Sequence, residues 1–262
     1  SCTVKGLKPG TSTLTATTNN GKTATFKITV LQEPVPTDAV DLGYRINDRA
    51  VYWSTKNVGA KYDVEIGDYF AWGDPDVYYM SIRPLSFKTG KEGGYSDKNY
   101  KYYDKDGKIT KYCNKASMSS SGKADGNLIL EKNDDPAAKI LGGRWRSPSL
   151  ADQAWLFTHC TWKETTRNSI PGYIVTSTVE GFEGNSIFLP STGYIANDEV
   201  VADGTIEYFN GEYKKIGTYQ TSSLDLTDPT KRSVLVFFMG DIETRYYSRS
   251  IGCVIRPVSS RL

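Results

Sequence analysis

Ser233-Val234-Leu235-Val236-Phe237-Phe238 is a continuous apolar run bounded by charged and turn-forming residues. An unbroken run of this length predicts a central strand buried on both faces. Working outward, Ala50-Val51-Tyr52-Trp53, Tyr69-Phe70-Ala71-Trp72 and Ser186-Ile187-Phe188-Leu189 are further short runs between turn residues, and each predicts a strand. Helices are few. Ser149 can cap one, with Asp152 three residues on and Leu150, Ala154 and Phe157 spaced to share its inner face. Asp134-Asp135-Pro136-Ala137-Ala138 predicts a second, shorter helix, because proline in the first turn and acids near the N-terminus both favour a start there. The expected class is α+β, dominated by antiparallel sheet.

Composition narrows the chemistry. Lys+Arg 32 against Asp+Glu 30 is far less basic than a generic nucleic-acid binder. A single histidine, His159, excludes a multi-His metal site and limits any Ser-His or Cys-His proposal to that residue. His159 falls at the expected end of the first helix, where a helix C-terminus favours it, and the adjacent Cys160 points elsewhere on a helical turn. No apolar run approaches membrane-spanning length. Tyrosine outnumbers phenylalanine by 18 to 9, which suits surfaces that bind polar partners. Cys2, Cys113, Cys160 and Cys253 fit no zinc spacing. Cys160 and Cys253 sit in apolar stretches and are expected as buried free thiols, while two bridges, one or none stay open for the set.

The first thirty residues alternate in the β manner. Ser12 to Thr17 and Ala24 to Val30 flank the hairpin turn Asn20-Gly21. Pro34 and Pro36 then stiffen a short linker. Residues 87–123 hold nine lysines and four acids interleaved with Tyr95, Tyr100, Tyr102, Tyr103 and Tyr112. With so few apolar residues this stretch is expected as a long surface insertion, with Asp106-Gly107 marking a turn inside it.

Two resemblances follow from blocks of residues. Val4-Lys5-Gly6-Leu7-Lys8-Pro9-Gly10 running through Thr17, then Gly21 to Val30, resembles the closing strands of the bacterial group 2 immunoglobulin-like domain, a spacer of surface proteins. Val40-Asp41-Leu42-Gly43, Asn57-Val58-Gly59-Ala60 and Gly67-Asp68-Tyr69-Phe70-Ala71-Trp72-Gly73 open a second series. Gly142-Gly143-Arg144-Trp145-Arg146-Ser147-Pro148, Gly184-Asn185-Ser186-Ile187-Phe188-Leu189-Pro190-Ser191-Thr192-Gly193-Tyr194 and Val254-Ile255-Arg256-Pro257-Val258 complete it. In number and order these blocks resemble the Fibrobacter succinogenes major paralogous domain of gut Bacteroidetes surface proteins and lipoproteins. That resemblance implies a C-type-lectin-like fold: a twisted antiparallel sheet, one or two helices and long loops, preceded by a partial Ig-like β segment. The implied boundaries are 1–33 for the Ig-like strands, 34–39 for the linker and 40–262 for the lectin-like domain. Many members carry cysteine where Lys56 stands, so any bridge from that position to Cys160 is lost here.

The resemblance implies a non-catalytic binding or adhesion module, extracellular and held at the cell surface by an anchor outside this chain. Its expected partner is a glycan or a host or bacterial surface protein, with no nucleic acid, and the chain is expected to be monomeric. In related variable proteins the ligand face is built from late residues. That places the expected binding face at Asp241, Glu243, Arg245, Tyr246 and Tyr247, with Arg249 beside them and Tyr194, Asn197 and Tyr219 joining as the sheet folds back. Arg144, Trp145, Arg146 and Arg256 read more plainly as core packing, with arginine satisfying irregular backbone carbonyls. No catalytic residue, metal ligand or cofactor is assigned. Asp104-Lys105-Asp106-Gly107 lacks the acids of an EF-hand, because Lys108 and Lys115 stand where oxygen ligands are needed; structural calcium elsewhere stays open. Two rival functions are a polysaccharide-active enzyme using a carboxylate pair, with Glu131, Asp134 and Asp135 the nearest cluster, and anionic-polymer binding through residues 87–123.

Overall fold

The structure, a computed structural model, describes residues 10–30, 35–77, 95–196, 199–200, 205–208 and 212–260, the side chains of 199–214 excepted. The N-terminal hairpin forms as its alternation dictates. Strands β1 (Gly10–Thr17) and β2 (Thr23–Val30) pair antiparallel, with Leu14 opposite Phe26 and Ala16 opposite Ala24. Gly21 takes φ 79° in the turn, a conformation open to glycine. Period-two alternation collects Leu14, Ala16, Ala24, Phe26, Ile28 and Val30 on one face. Phe26 is nevertheless 57% exposed, as expected of a two-stranded ribbon, which has too little surface to make a core.

The later strands run in chain order as β3 (Ala39–Val40), β4 (Arg45–Ile46), β5 (Arg49–Ser54), β6 (Trp145–Arg146), β7 (Cys160–Arg167), β8 (Ile170–Ser177) and β9 (Ser186–Pro190). They continue as β10 (Ile195–Ala196), β11 (Glu199–Val200), β12 (Thr205–Tyr208), β13 (Glu212–Leu224), β14 (Lys231–Phe238), β15 (Asp241–Ser248) and β16 (Val258–Ser260). The helices are α1 (Pro136–Leu141) and α2 (Leu150–His159). One sheet has the order β3-β5-β16-β6, with β4 also on β5; a second runs β12-β13-β14-β15, a third β7-β8-β9, and β10 pairs with β11. Every pairing between these strands is antiparallel. The α+β class therefore holds, and Ser233 to Phe238 is the inner, buried strand that its composition predicts.

Helix α2 starts at the predicted cap. The Ser149 hydroxyl accepts from the Asp152 N–H, and the Asp152 carboxylate accepts from the Ser149 N–H. Its buried face differs from expectation: Asp152, Gln153 and Leu156 are buried, while Ala154 is exposed and Leu150 and Phe157 only half-buried. The polar pair faces inward because each member is bonded there. Asp152 takes Arg146, and Gln153 Nε2 donates to the Tyr219 carbonyl at 3.0 Å. Helix α1 is capped by Asp135, whose carboxylate accepts from Ala137 N–H, with Pro136 at the first helical position.

Residues 95–123 are a surface stretch only in part: Lys98, Lys101, Lys105, Lys108, Lys115 and Lys123 are exposed, but the tyrosines turn inward. Tyr95, Tyr100, Tyr102 and Tyr112 are buried in the main core, while residues 87–94 lie outside the described residues. The hydroxyls make this possible, since a buried phenol needs an acceptor. Tyr95 donates to the Tyr69 carbonyl, Tyr100 to that of Trp72 and Tyr102 to that of Gly73. The same bonds explain why Tyr69 to Trp72 is not the strand it resembles. It is irregular chain, held by one bridge from Phe70 to Cys253 and by these donors. The Asp106-Gly107 turn does form, between Tyr103 and Ile109.

Three arginines are fully buried and bonded mainly to carbonyl oxygens. Arg249 lies 4.8 Å from the Trp72 ring and donates to the Lys111, Tyr112 and Pro229 carbonyls and to the Tyr100 hydroxyl. Arg232 donates to the Ser248 and Ile251 carbonyls, Gln220 Oε1 and Cys253 Sγ. Arg256 donates to Asn57 Oδ1 and to the Ser54 and Thr55 carbonyls. Cys113, Cys160 and Cys253 are free and buried, as expected for the latter two; Cys2 lies outside the described residues.

Candidate functional site

The predicted tyrosine face does not assemble as one surface. On β14 and β15, Val234 pairs with Arg245, Val236 with Glu243, Ser233 with Tyr246 and Leu235 with Thr244. Alternation therefore puts Asp241, Glu243, Arg245 and Tyr247 on one face and Tyr246 on the other. Tyr246 is 45% exposed and points away from its neighbour's side. Tyr247 is half-buried against the cluster formed by Ile216, Val234, Val236 and Cys253, and its ring meets Tyr194 edge-on at 5.6 Å. Arg245 pairs with Glu243 in the same row. Tyr219 is a core residue, 2% exposed, with its hydroxyl donated to the Pro190 carbonyl at 2.6 Å. Arg249, expected beside this face, is buried among the rings of Trp72, Tyr100 and Tyr102. Asn197 lies outside the described residues.

A concave site occurs elsewhere. Strand β6 pairs only with β16, at the margin of its sheet. Beside it opens a cleft of about 580 Å³, within the size range of ligand sites. It is lined by residues 143–147, Ser149 and Ser260, and by Ile46, Ile129, Leu130, Lys132, Asp135, Ala138 and Ser222 from other segments. Trp145 is half-buried, while Arg144 and Lys132 are exposed. Ile129, 55% exposed, adds apolar surface. The position of Trp145 follows from its neighbours. Arg146 is clamped by the Asp152 carboxylate, with Nη1 at 2.6 Å and Nη2 at 3.2 Å. Ser147 is fixed by Asp135, which accepts from its N–H at 2.7 Å and its hydroxyl at 2.6 Å. Leu130 N–H donates to the Ser222 carbonyl, and Ser222 N–H to that of Pro148. Three remote segments are thereby tied around one hollow. Arg144, Trp145 and Arg146, expected in the core, all line the cleft instead, with Arg144 exposed and the other two half-buried.

The acids near this cleft are held by structural bonds. Asp135 accepts three donors from Ser147 and Ala137, and burial nonetheless moves its carboxyl above the usual range. Asp152 serves the cap and Arg146 together. Burial would raise Asp134 as well, but hydrogen bonds from Lys111 at 2.6 Å and Tyr112 at 2.8 Å outweigh it and hold the group well below the carboxylate range. Glu131 pairs with Lys111 at 2.7 Å. In the 104–108 turn, Asp104 Oδ1 accepts from the N–H groups of Asp106 and Lys108. Among the described residues no three His, Cys, Asp or Glu side chains cluster as metal ligands would. His159 ends α2 as predicted, stacked on Trp155 at 4.6 Å. The neighbouring Cys160 thiol is pushed up to about 12 by burial, so it carries almost no thiolate at neutral pH. No known family, curated protein or solved structure matches this chain.

Proposed function

We propose that the chain is a non-catalytic surface-binding module of the C-type-lectin-like kind, and that it seats a glycan in the cleft beside β6. One observation carries this reading: a half-buried tryptophan, Trp145, forms part of an open hollow of about 580 Å³ that the exposed cations Arg144 and Lys132 also line. Sugar rings stack on aromatic faces, and hydroxyls and cationic side chains orient their polar edges. The cell-surface placement and the Ig-like spacer belong to the same proposal and rest on the sequence resemblance.

The rival functions have less support. A carboxylate pair for hydrolysis needs two acids free to exchange protons and face a sugar. Asp134, Asp135 and Asp152 are engaged in an ion pair or in helix caps. Binding of an anionic polymer through 87–123 needs tyrosines available for stacking. Four of the five are in the core. A glycan array probed with the chain and with Trp145→Ala tests the proposal. Hits that vanish in the variant while its melting temperature holds support the cleft. Hits that survive Trp145→Ala move the site elsewhere, and silence of both proteins removes the glycan reading.

A further inference from the structure

Among the described residues five buried side-chain polar atoms have no hydrogen-bond partner, and three of them belong to residues that meet at one place: Trp53 Nε1 from β5, Gln153 Oε1 from α2 and Arg256 Nη2 from the segment before β16. Their residues are only 2%, 2% and 1% exposed. All three border the same small internal cavity of about 10 Å³. Buried polar groups are almost always paired, so three exceptions at one place require a common partner. The remaining contacts show which atom of each residue is left without a partner. Gln153 Nε2 already donates to the Tyr219 carbonyl at 3.0 Å, which assigns its amide orientation and leaves Oε1 inward. Arg256 spends Nε on Asn57 and Nη1 on the Ser54 and Thr55 carbonyls, leaving Nη2.

We propose that this cavity is a binding site for one internal water molecule, which accepts from Trp53 Nε1 and Arg256 Nη2 and donates to Gln153 Oε1. The size fits, since a single water needs roughly 10–15 Å³ measured this way. So does the valence: two donors and one acceptor match the two lone pairs and one proton of a water, leaving its second proton unused. A halide would meet the same two donors but would be repelled by Oε1. The water joins three segments that lie far apart in sequence and solvates the buried face of a guanidinium with no carboxylate bonded to it. This site is independent of the glycan cleft.

The test is water-selective NOE and ROE spectroscopy on the full chain, read at the Trp53 indole proton. The expected result is a cross-peak whose sign marks a long-lived bound water. It persists in Tyr219→Phe, which removes the one hydroxyl among the lining residues, and is lost in Gln153→Met. Absence of the peak in the parent protein overturns the proposal, as does its loss in Tyr219→Phe, which would assign it to hydroxyl exchange. A crystal structure with anomalous bromide signal in the cavity would also overturn it, by making the occupant an anion. The parent measurement decides the matter if Gln153→Met fails to fold.

Discussion

Replacing Arg249 by alanine should cost more stability than any single surface change in this protein. The side chain is fully buried and donates to three backbone carbonyls, Lys111 at 2.9 Å and Tyr112 and Pro229 at 3.1 Å each. Deleting it strands those acceptors, at a cost of about 1 kcal/mol each taken at the low end. It also removes a desolvated cation from the rings of Trp72, Tyr100 and Tyr102, at 4.8, 5.4 and 5.8 Å. Contacts of that type contribute about 2 kcal/mol. The sum, about 5 kcal/mol, approaches the whole stability of a marginal domain, roughly 5–15 kcal/mol. Urea denaturation followed by tryptophan fluorescence reads the loss as a lower midpoint at unchanged slope. Arg249→Lys keeps the charge but loses the fork and should recover only part. Arg245→Ala is the control: its ion pair with Glu243 is largely exposed and should contribute less than about 1 kcal/mol. A loss below about 1 kcal/mol for Arg249→Ala would refute the argument that this guanidinium ties residues 95–123 to the core.

Asp134→Asn should destabilise the protein at neutral pH and much less in acid. The folded pKa lies below the ordinary value, so the stabilisation is complete above about pH 4 and fades as pH falls toward the folded value; urea midpoints of both proteins across pH 2.5–7, a range of ~5 units, check the closing gap. Ser149→Ala removes the α2 cap and should cost about 1 kcal/mol in thermal denaturation. Tyr247→Ala should lower the melting temperature more than Tyr246→Ala, because Tyr247 packs on the buried cluster of Ile216, Val234, Val236 and Cys253; equal shifts would contradict the alternation. Cys160 and Cys253, buried with raised pKa values, should resist alkylation in the native protein and react once it is unfolded, as mapped by peptide mass spectrometry.

What was legible in the sequence was local. The cap of α2 is a four-residue pattern, Ser149 to Asp152, and strand β14 is an uninterrupted apolar run; both form where their residues indicate. The α1 start and the Asn20-Gly21 hairpin are equally local. Within residues 95–123 the burial of Tyr95, Tyr100 and Tyr102 is not legible locally, because it depends on hydroxyls meeting carbonyls of 69–73, about thirty positions away. Composition registers the lysines of that stretch but not the direction of its tyrosines. The β15 face had an available signal that went unused: Tyr246 and Tyr247 are adjacent, so on a strand they must point apart. The cleft had none. Its hollow exists only where residues 129–132, 143–149 and 222 come together, and no spacing within one segment shows concavity.

The buried arginines carry a consequence for how this protein responds to its surroundings. Much of its interior is aperiodic chain, which a helix or sheet ladder cannot rigidify. Arg232, Arg249 and Arg256 act instead as pegs set into that chain: Arg249 grips carbonyls of two distant segments, at 111–112 and 229, while Arg232 holds those of Ser248 and Ile251 and Arg256 those of Ser54 and Thr55. A guanidinium keeps its proton wherever proteins ordinarily operate; even Arg256, which burial lowers to about 10, stays charged at neutral pH. Fasteners of this sort do not loosen when an acidic or mildly alkaline medium switches histidines and carboxylates. The carbonyls these three guanidinium groups hold should stay held in acid that releases the Asp134 contacts to Lys111 and Tyr112.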